Sequence, residues 1–365
     1  MTSRSRNLAG PLASRLERGF SSRPVFDREL KRRQRDWAAS RPDAASFDYL
    51  RAEVSQRLVD RIEDIQRSFP LALDVSCHTG HVFAALSAHE GLGGEGGIGG
   101  VKTLIMGDAS EHCARKAMEL AQSSPHAQGG RLKGLTLVMD EEHLPFPDAT
   151  FDLVTSSLGL HWVNDLPAAL KEARRVLKPD GCFIGAMLGG ATLNELRESF
   201  VMAETEREGG VSPRVSPMAS ASDAGGLLTQ AGFTLPTVDV DTVVCEYSDA
   251  FMVMDELQGM GEQSASLLRR SWGQRPAGRD TFLAAASLYH CGSLGRAPLA
   301  GERSQEAAAD TPNSDLSQVT VPASFQVIYM IGWAPHESQP IPDERGSATR
   351  SFAEIPVTKT PAPLK

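Results

Sequence analysis

Residues 71–81 read LALDVSCHTGH, an apolar run that ends in an acid and then turns through Ser76, Cys77, His78, Thr79 and Gly80. A short apolar run closed by a turn is how a strand buried on both faces reads. The helix-like VFAALSAH follows it, and the unit then repeats. VKTLIMGD (101–108) precedes SEHCARKAMELA, LTLVMD spans 135–140, FDLVTSSL (151–158) precedes DLPAALKEARRVL, and GCFIGAM spans 181–187. Strands alternating with helices predict an α/β fold whose mostly parallel sheet is covered by helices on both faces. Such sheets bind ligands at the C-terminal strand ends, which brings Asp74, Asp108, Asp140 and Ser156 to one edge.

The flanks are helical. Leu50, Val54, Leu58, Ile62 and Ile65 step by three or four before the first strand. After the fifth come a helical region over 192–231, strand-like TVDVDTVVCEY, helical FMVMDELQGMGE and RDTFLAAASLYH, and a last strand QVIYMIGW (326–333). The stretch 291–320 is rich in Gly, Ser, Ala and Pro and is expected to be a disordered insert, with a shorter one at 122–134.

The 365 residues carry a net charge of -9. The first 20 hold four Arg and one Glu, with Leu8, Leu12, Leu16 and Phe20 on one helical face, the composition of a mitochondrial transit peptide. Without them the charge is -12, which argues against nucleic acid as a partner. Arg28, Lys31, Arg32, Arg33 and Arg35 survive as a basic run, expected to be a solvated helix face, with an acidic partner or the inner mitochondrial membrane surface as the other use. The five cysteines form no CxxC pair and read as free thiols.

GLGGEGGIGG (91–100) contains a literal GxGxxG at Gly91, Gly93 and Gly96. A phosphate-cradling loop leaves a strand and opens a helix, whereas this segment leaves a helix and enters a strand, so it reads as a flexible insert. It also explains a spacing. A ribose-binding acid is expected about 20 residues after the first loop. Asp108 lies 34 residues after Asp74, and 24 once the ten glycine-rich residues are set aside.

FDREL, DWAA, FDYL, LALD, FDLV, LHWVNDLP, LKPDG, FIGAM, AETEREGG, DELQGMGE and YMIGW together resemble the mitochondrial complex I assembly factor 5 family. Its members have the class I methyltransferase (Rossmann-like) fold and are similar to the biotin-pathway malonyl-carrier methyltransferase. The likeness runs from about residue 25 to 352. It implies a seven-stranded sheet with a helical C-terminal insertion, divided into a transit peptide (1–22), N-terminal helices (23–70), an S-adenosylmethionine (SAM) core (71–190), a C-terminal part (191–352) and a tail (353–365). It also implies SAM binding through Asp74 and a DxGxGxG turn in which Ser76 and His78 replace two glycines and Gly80 remains. Asp108 with Ala109 matches the ribose position, Asp140 with Glu141 the adenine position, and Ser156 would line the methionine moiety. A side chain forced into left-handed geometry costs roughly 1–2 kcal/mol. That is up to about thirtyfold in cofactor affinity if the turn relaxes away from its ligand.

The resemblance implies arginine hydroxylation on an iron-sulfur subunit of complex I during assembly in the matrix. Methylation of that subunit, carboxyl methylation of a carrier and a non-catalytic assembly role are the alternatives. His161 is the candidate acid, base or acceptor contact, against a structural histidine packed on Trp162. Cys77, His78 and His81 cluster where the glycines are missing, but no acid completes a ligand set, and no metal is assigned.

Overall fold

The computed structural model describes residues 24–88, 96–124, 132–267, 278–295 and 320–340. The leader, residues 91–95 of the glycine-rich stretch and 353–365 lie outside them. Seven strands form one sheet: β1 (Leu71–Val75), β2 (Thr103–Asp108), β3 (Lys133–Val138), β4 (Phe151–Ser157), β5 (Leu177–Leu188), β6 (Thr234–Tyr247) and β7 (Val321–Trp333). Their order is β3-β2-β1-β4-β5-β7-β6, with β1 to β5 parallel and β7 antiparallel to both its neighbours. This is the expected seven-stranded, mostly parallel fold. Order reverses between β1 and β4, the place where open α/β sheets hold ligands.

Nine helices are described: α1 (Arg28–Ser40), α2 (Tyr49–Glu63), α3 (His81–Ser87), α4 (Glu111–Ser123), α5 (Leu166–Val176), α6 (Asn194–Glu208), α7 (Ala221–Ala231), α8 (Ala250–Gly259) and α9 (Arg279–Gly295). They cover both faces. Leu50, Val54, Leu58 and Ile62 of α2 join one core with Leu86 and Leu104, while Leu170 and Val176 of α5 and Leu228 of α7 join the other with Leu73 and Val154. Local chemistry sets the helix starts. Asp27 accepts from Leu30 N–H at 2.9 Å, Ser110 from Cys113 N–H at 3.1 Å and Asp165 from Ala168 N–H at 3.0 Å, each satisfying an orphan donor of the first turn.

Several boundaries differ from the sequence reading. The 192–231 region is two helices, because Gly209 takes a φ of 68° and Pro213 and Pro217 follow in a non-helical link. Strand β5 starts at Leu177, four residues earlier than expected, because Leu177 pairs with Phe151. The proposed 291–320 insert begins inside α9, which continues to Gly295, and 296–319 lie outside the described residues. In the 122–134 stretch, 122–123 end α4 and 133–134 open β3. All five cysteines are free, and no described helix is long and apolar enough to cross a membrane.

Leu58 is fully buried between α2 and the sheet. Leu58→Ala should lower the unfolding free energy by about 2–5 kcal/mol in a denaturant titration.

Candidate functional site

The turn after β1 keeps the geometry that glycines would normally supply. Ser76, His78 and Gly80 have φ values of 61°, 48° and 96°, so the chain does not relax where side chains replace glycine. Hydrogen bonds hold it there. Cys77 N–H donates to the Gly107 carbonyl at 2.9 Å, His78 N–H to Asp108 Oδ2 at 3.1 Å and Gly80 N–H to the Cys77 carbonyl at 2.9 Å. Ser76 Oγ donates to Glu141 Oε1 at 2.9 Å, and His78 Nε2 lies 3.1 Å from the Leu158 carbonyl oxygen. The turn also lies tight against the loop after β4, where a Cβ on Gly159 would stand 2.2 Å from that of Ser76. The strain at two residues is therefore offset by contacts with β2, β3 and β4.

The strand-end acids differ in environment. Asp74 is wholly buried; Thr155 Oγ1 donates to its Oδ1 at 2.8 Å and its Oδ2 has no partner. Burial, seconded by the Asp108 charge, pushes its carboxyl up to about 7. Asp108 is also fully buried and raised by burial, opposed by the Arg35 guanidinium. Asp140 points outward: its side chain is 50% exposed and pairs with Arg28. Its neighbour Glu141 is the buried acid beside the turn, so the third strand delivers Glu141 rather than Asp140 to the cleft. Ser156 Oγ is buried without a partner, and Ser157 Oγ lies 3.1 Å from Ser55 Oγ.

The basic run on α1 is not a solvated face. Arg33 is exposed and Arg32 half-buried, but Arg28, Lys31 and Arg35 share the opposite stripe, and Lys31 and Arg35 are only 3% and 4% exposed. Spacing of three and four places them on one side of the helix, which lies over the strand ends. Arg35 Nη1 stands 3.1 Å from Glu141 and 3.7 Å from Asp108, and Arg28 pairs with Asp140 and Glu141. Lys31 Nζ donates to the Gly261 and Gln263 carbonyls at 3.0 and 2.6 Å and sits 3.4 Å over the Trp162 ring. Sequence reasoning missed this because periodicity separates two stripes without saying which one meets the acids.

His161 packs beside Trp162, with ring centroids 5.3 Å apart, and its Nε2 lies 3.3 Å from Glu262. Glu262 also accepts from Trp162 Nε1 at 2.7 Å and Arg51 Nη2 at 2.8 Å. Burial opposes its charge, yet the bond from His161 and the nearby Lys31 and Arg51 charges hold its carboxyl well below the usual range, while burial lowers His161. Glu262 and Arg51 are residues the sequence reading does not single out, and Arg35 enters it only within the basic run; Glu262 is visible only as the last letter of DELQGMGE. The Cys77, His78 and His81 side chains do not converge. Cys77 Sγ faces the His78 carbonyl, His78 the Leu158 carbonyl, and His81 Thr79 and Asp48. Among the described residues, Asp140, Glu142 and His143 are the group with ligand atoms close enough for a metal ion, and Arg28 already pairs with both acids there.

Between α1, α2 and the strand ends runs a cleft in two lobes with Arg35 in the wall of both. One is bordered by Arg35, Arg51, Asp48, His78 and Thr79, the other by Arg28, Arg35, Ala109, Glu141 and Gly159. A nucleoside carrying an amino-acid tail suits this lining. His78 Nδ1 and the Nε atoms of Arg35 and Arg51 on its walls are buried without partners, whereas Asp74 Oδ2 and Ser156 Oγ, also unpartnered, border neither lobe. Arg35 lies between them, so its guanidinium must leave Asp108 for ribose hydroxyls to reach that carboxylate.

A family model for a methyltransferase domain matches residues 73–185. The chain is 45% identical to the mitochondrial arginine-hydroxylase NDUFAF5 of Danio rerio over 94% of each chain, and 44% identical to that of Mus musculus over 91% of this chain and 83% of the other. It belongs to the NDUFAF5 family. The protein is thus mitochondrial and an enzyme of the methyltransferase superfamily. A malonyl-[acyl-carrier protein] O-methyltransferase of Methylovorus sp. is more distant, 30% identical over 87% of this chain and 93% of the other. The family's likeness extends well beyond the methyltransferase match, which starts after Arg28, Lys31, Arg35 and Arg51 and stops before Glu262.

Two outcomes test the site's electrostatics. Arg35→Leu leaves Glu141 and Asp108 short of a buried counter-charge and should cost about 3–5 kcal/mol of stability. Adding Glu141→Gln should restore more than about 1 kcal/mol of that, read as coupling in a double-mutant cycle. Asp74 gives a pH signature. Its folded-state value lies near 7 against an ordinary 3.8, so between those values the folded protein holds a proton that the unfolded chain has lost. Stability then falls as pH rises through that window. In urea titrations at pH 5 and pH 7, Asp74→Asn should remove about 2 kcal/mol of this fall.

Proposed function

We propose that the protein acts in the assembly of mitochondrial complex I, hydroxylating an arginine of an iron-sulfur subunit, and that its strand-end cleft binds SAM. The observation that carries the reading is the match along nearly the whole chain to proteins named as arginine hydroxylases, together with a cleft on whose walls His78 Nδ1 and the Nε atoms of Arg35 and Arg51 are buried without partners. On this reading Asp108 receives the ribose hydroxyls, Ala109 and Glu141 border the adenine, and Asp74, His78, Gly80 and Ser156 line the methionine end. Asp140, paired with Arg28, keeps α1 in place instead of touching the base. SAM supplies an electrophilic methyl group when bound.

The chain's own residues do three things for the acceptor. Glu262 is held by Arg51, His161 and Trp162, and Lys31 covers the Trp162 ring, so these side chains fix one another in the wall beside which an acceptor would enter. Buried His161 is held neutral with Nε2 turned to the Glu262 carboxylate and Nδ1 unpartnered, so Nδ1 is a proton acceptor available to a group entering beside Glu262. Helix α1 walls both lobes of the cleft, and the end of α8 borders one of them through Gly259. Insertion of one oxygen atom from dioxygen into a C–H bond also requires two electrons and two protons for the water released, so a reductant is a co-substrate of the reaction.

Mass spectrometry of complex I subunits from mitochondria lacking the protein is the test. One arginine of an iron-sulfur subunit should be lighter by one oxygen atom, and reintroducing the protein should restore it. A mass difference of one methylene would replace hydroxylation by methylation. Unchanged subunits with failed assembly would reduce the protein to an assembly module. Calorimetric titration with SAM should show saturable heat that is lost in Asp108→Ala.

A further inference from the structure

A second cavity lies away from the nucleoside cleft, between the end of β5, the start of α6, the 212–218 link and the segment after α8. Leu188, Leu193, Leu196, Met218 and Phe325 contribute apolar wall. Two charged side chains reach it, Glu262 and Arg214. They differ in how far they are committed. Glu262 is already engaged by Arg51, His161 and Trp162. Arg214 is engaged on one side only.

That side is tightly built. Arg214 Nε donates to Glu204 Oε1, and the other oxygen of Glu204 accepts from Ser212 N–H at 2.7 Å, so the buried carboxylate is spent on fixing the guanidinium. The Arg214 side chain is 9% exposed and that of Glu204 2%. The two terminal nitrogens of Arg214 make no hydrogen bond among the described residues. A guanidinium stays charged at any physiological pH, and the terminal nitrogens of Arg214 are not among the buried atoms lacking a partner, so they remain accessible. Ser216 and Ser264, whose hydroxyls are 3.4 Å apart, add two weakly held polar groups to the same wall. Fixed on its Nε side with a free outer edge, the guanidinium presents the fork that matches a carboxylate with two parallel N–H···O bonds.

We propose that this cavity is a binding site for a carboxylate on a short aliphatic chain, with Arg214 holding the carboxylate and the leucine and phenylalanine walls the chain. The carboxylate can belong to an acidic side chain of a protein segment or to a free organic acid. The cavity shares its Trp162 wall with one lobe of the nucleoside cleft, but Arg214 and the apolar side chains that define it border neither lobe.

Calorimetry on the full chain separates these cases. Glutarate and a capped peptide with one glutamate are the two probes, and glutaramide is the neutral control of matching shape. Saturable binding of glutarate alone assigns a free acid, and of the peptide alone an acidic side chain. In either case the carboxylate should bind at least about tenfold more tightly than its neutral amide counterpart. Arg214→Gln should weaken the acid by a similar factor while leaving SAM binding unchanged. Because that variant strands Glu204, the double variant Arg214→Gln/Glu204→Gln is measured beside it, with the same loss expected. Equal affinity for acid and amide, no binding of either probe by the wild-type chain, or an acid affinity untouched in both variants would overturn the proposal.

Discussion

Asp108 and Glu141 reach the rim of the sheet wholly or almost wholly buried, and Arg35 is the cation that makes that tolerable. Two carboxylates so near each other in a weakly polarisable surrounding repel, and burial alone would favour their neutral forms. The guanidinium beside both opposes the burial that raises the Asp108 carboxyl, and its own charge is strengthened by Asp108 and Glu141 against the cost of burial. Much else is arranged around this contact. Helix α1 lies where it does because its inner stripe is cationic, Ser76 finds Glu141 already fixed, and the first turn leans on Asp108 through the His78 amide.

The sheet was legible from residues because its signals are local. LALDV, TLIMGD and FDLVTSS are apolar runs ending in polar groups, and strands buried on both faces leave few other readings. The antiparallel β7 was placed last along the chain but not between β5 and β6, since neighbours across a sheet leave no mark on periodicity. The candidate site was read less completely for the same reason. Asp74, Asp108 and Ser156 follow from strand ends. The choice of Glu141 over Asp140 depends on a one-residue twist after β3, and Lys31, Arg35, Arg51 and Glu262 come from segments far apart in sequence whose meeting no spacing encodes.

The unusual turn shows how a motif can change its letters and keep its shape. Glycine is the usual choice where φ is positive, yet Ser76 and His78 hold left-handed angles because each gains a partner that glycine could not supply. The hydroxyl ties β1 to β3, and the imidazole ties it to the loop after β4. The likeness to SAM enzymes therefore rests on backbone form, while the side chains that fill it belong to this chain's own design.

The carboxylates at the sheet rim and the cations that neutralise them lie on opposite sides of a boundary. Residues 73–185 form the recognisable methyltransferase unit, but Arg28, Arg35 and Arg51 precede it and Glu262 follows. The unit is thus electrostatically incomplete by itself. Any excised or fused version that begins at the first strand would carry an acid-rich mouth open to solvent, so the evolutionary module and the autonomous folding unit of this protein do not coincide.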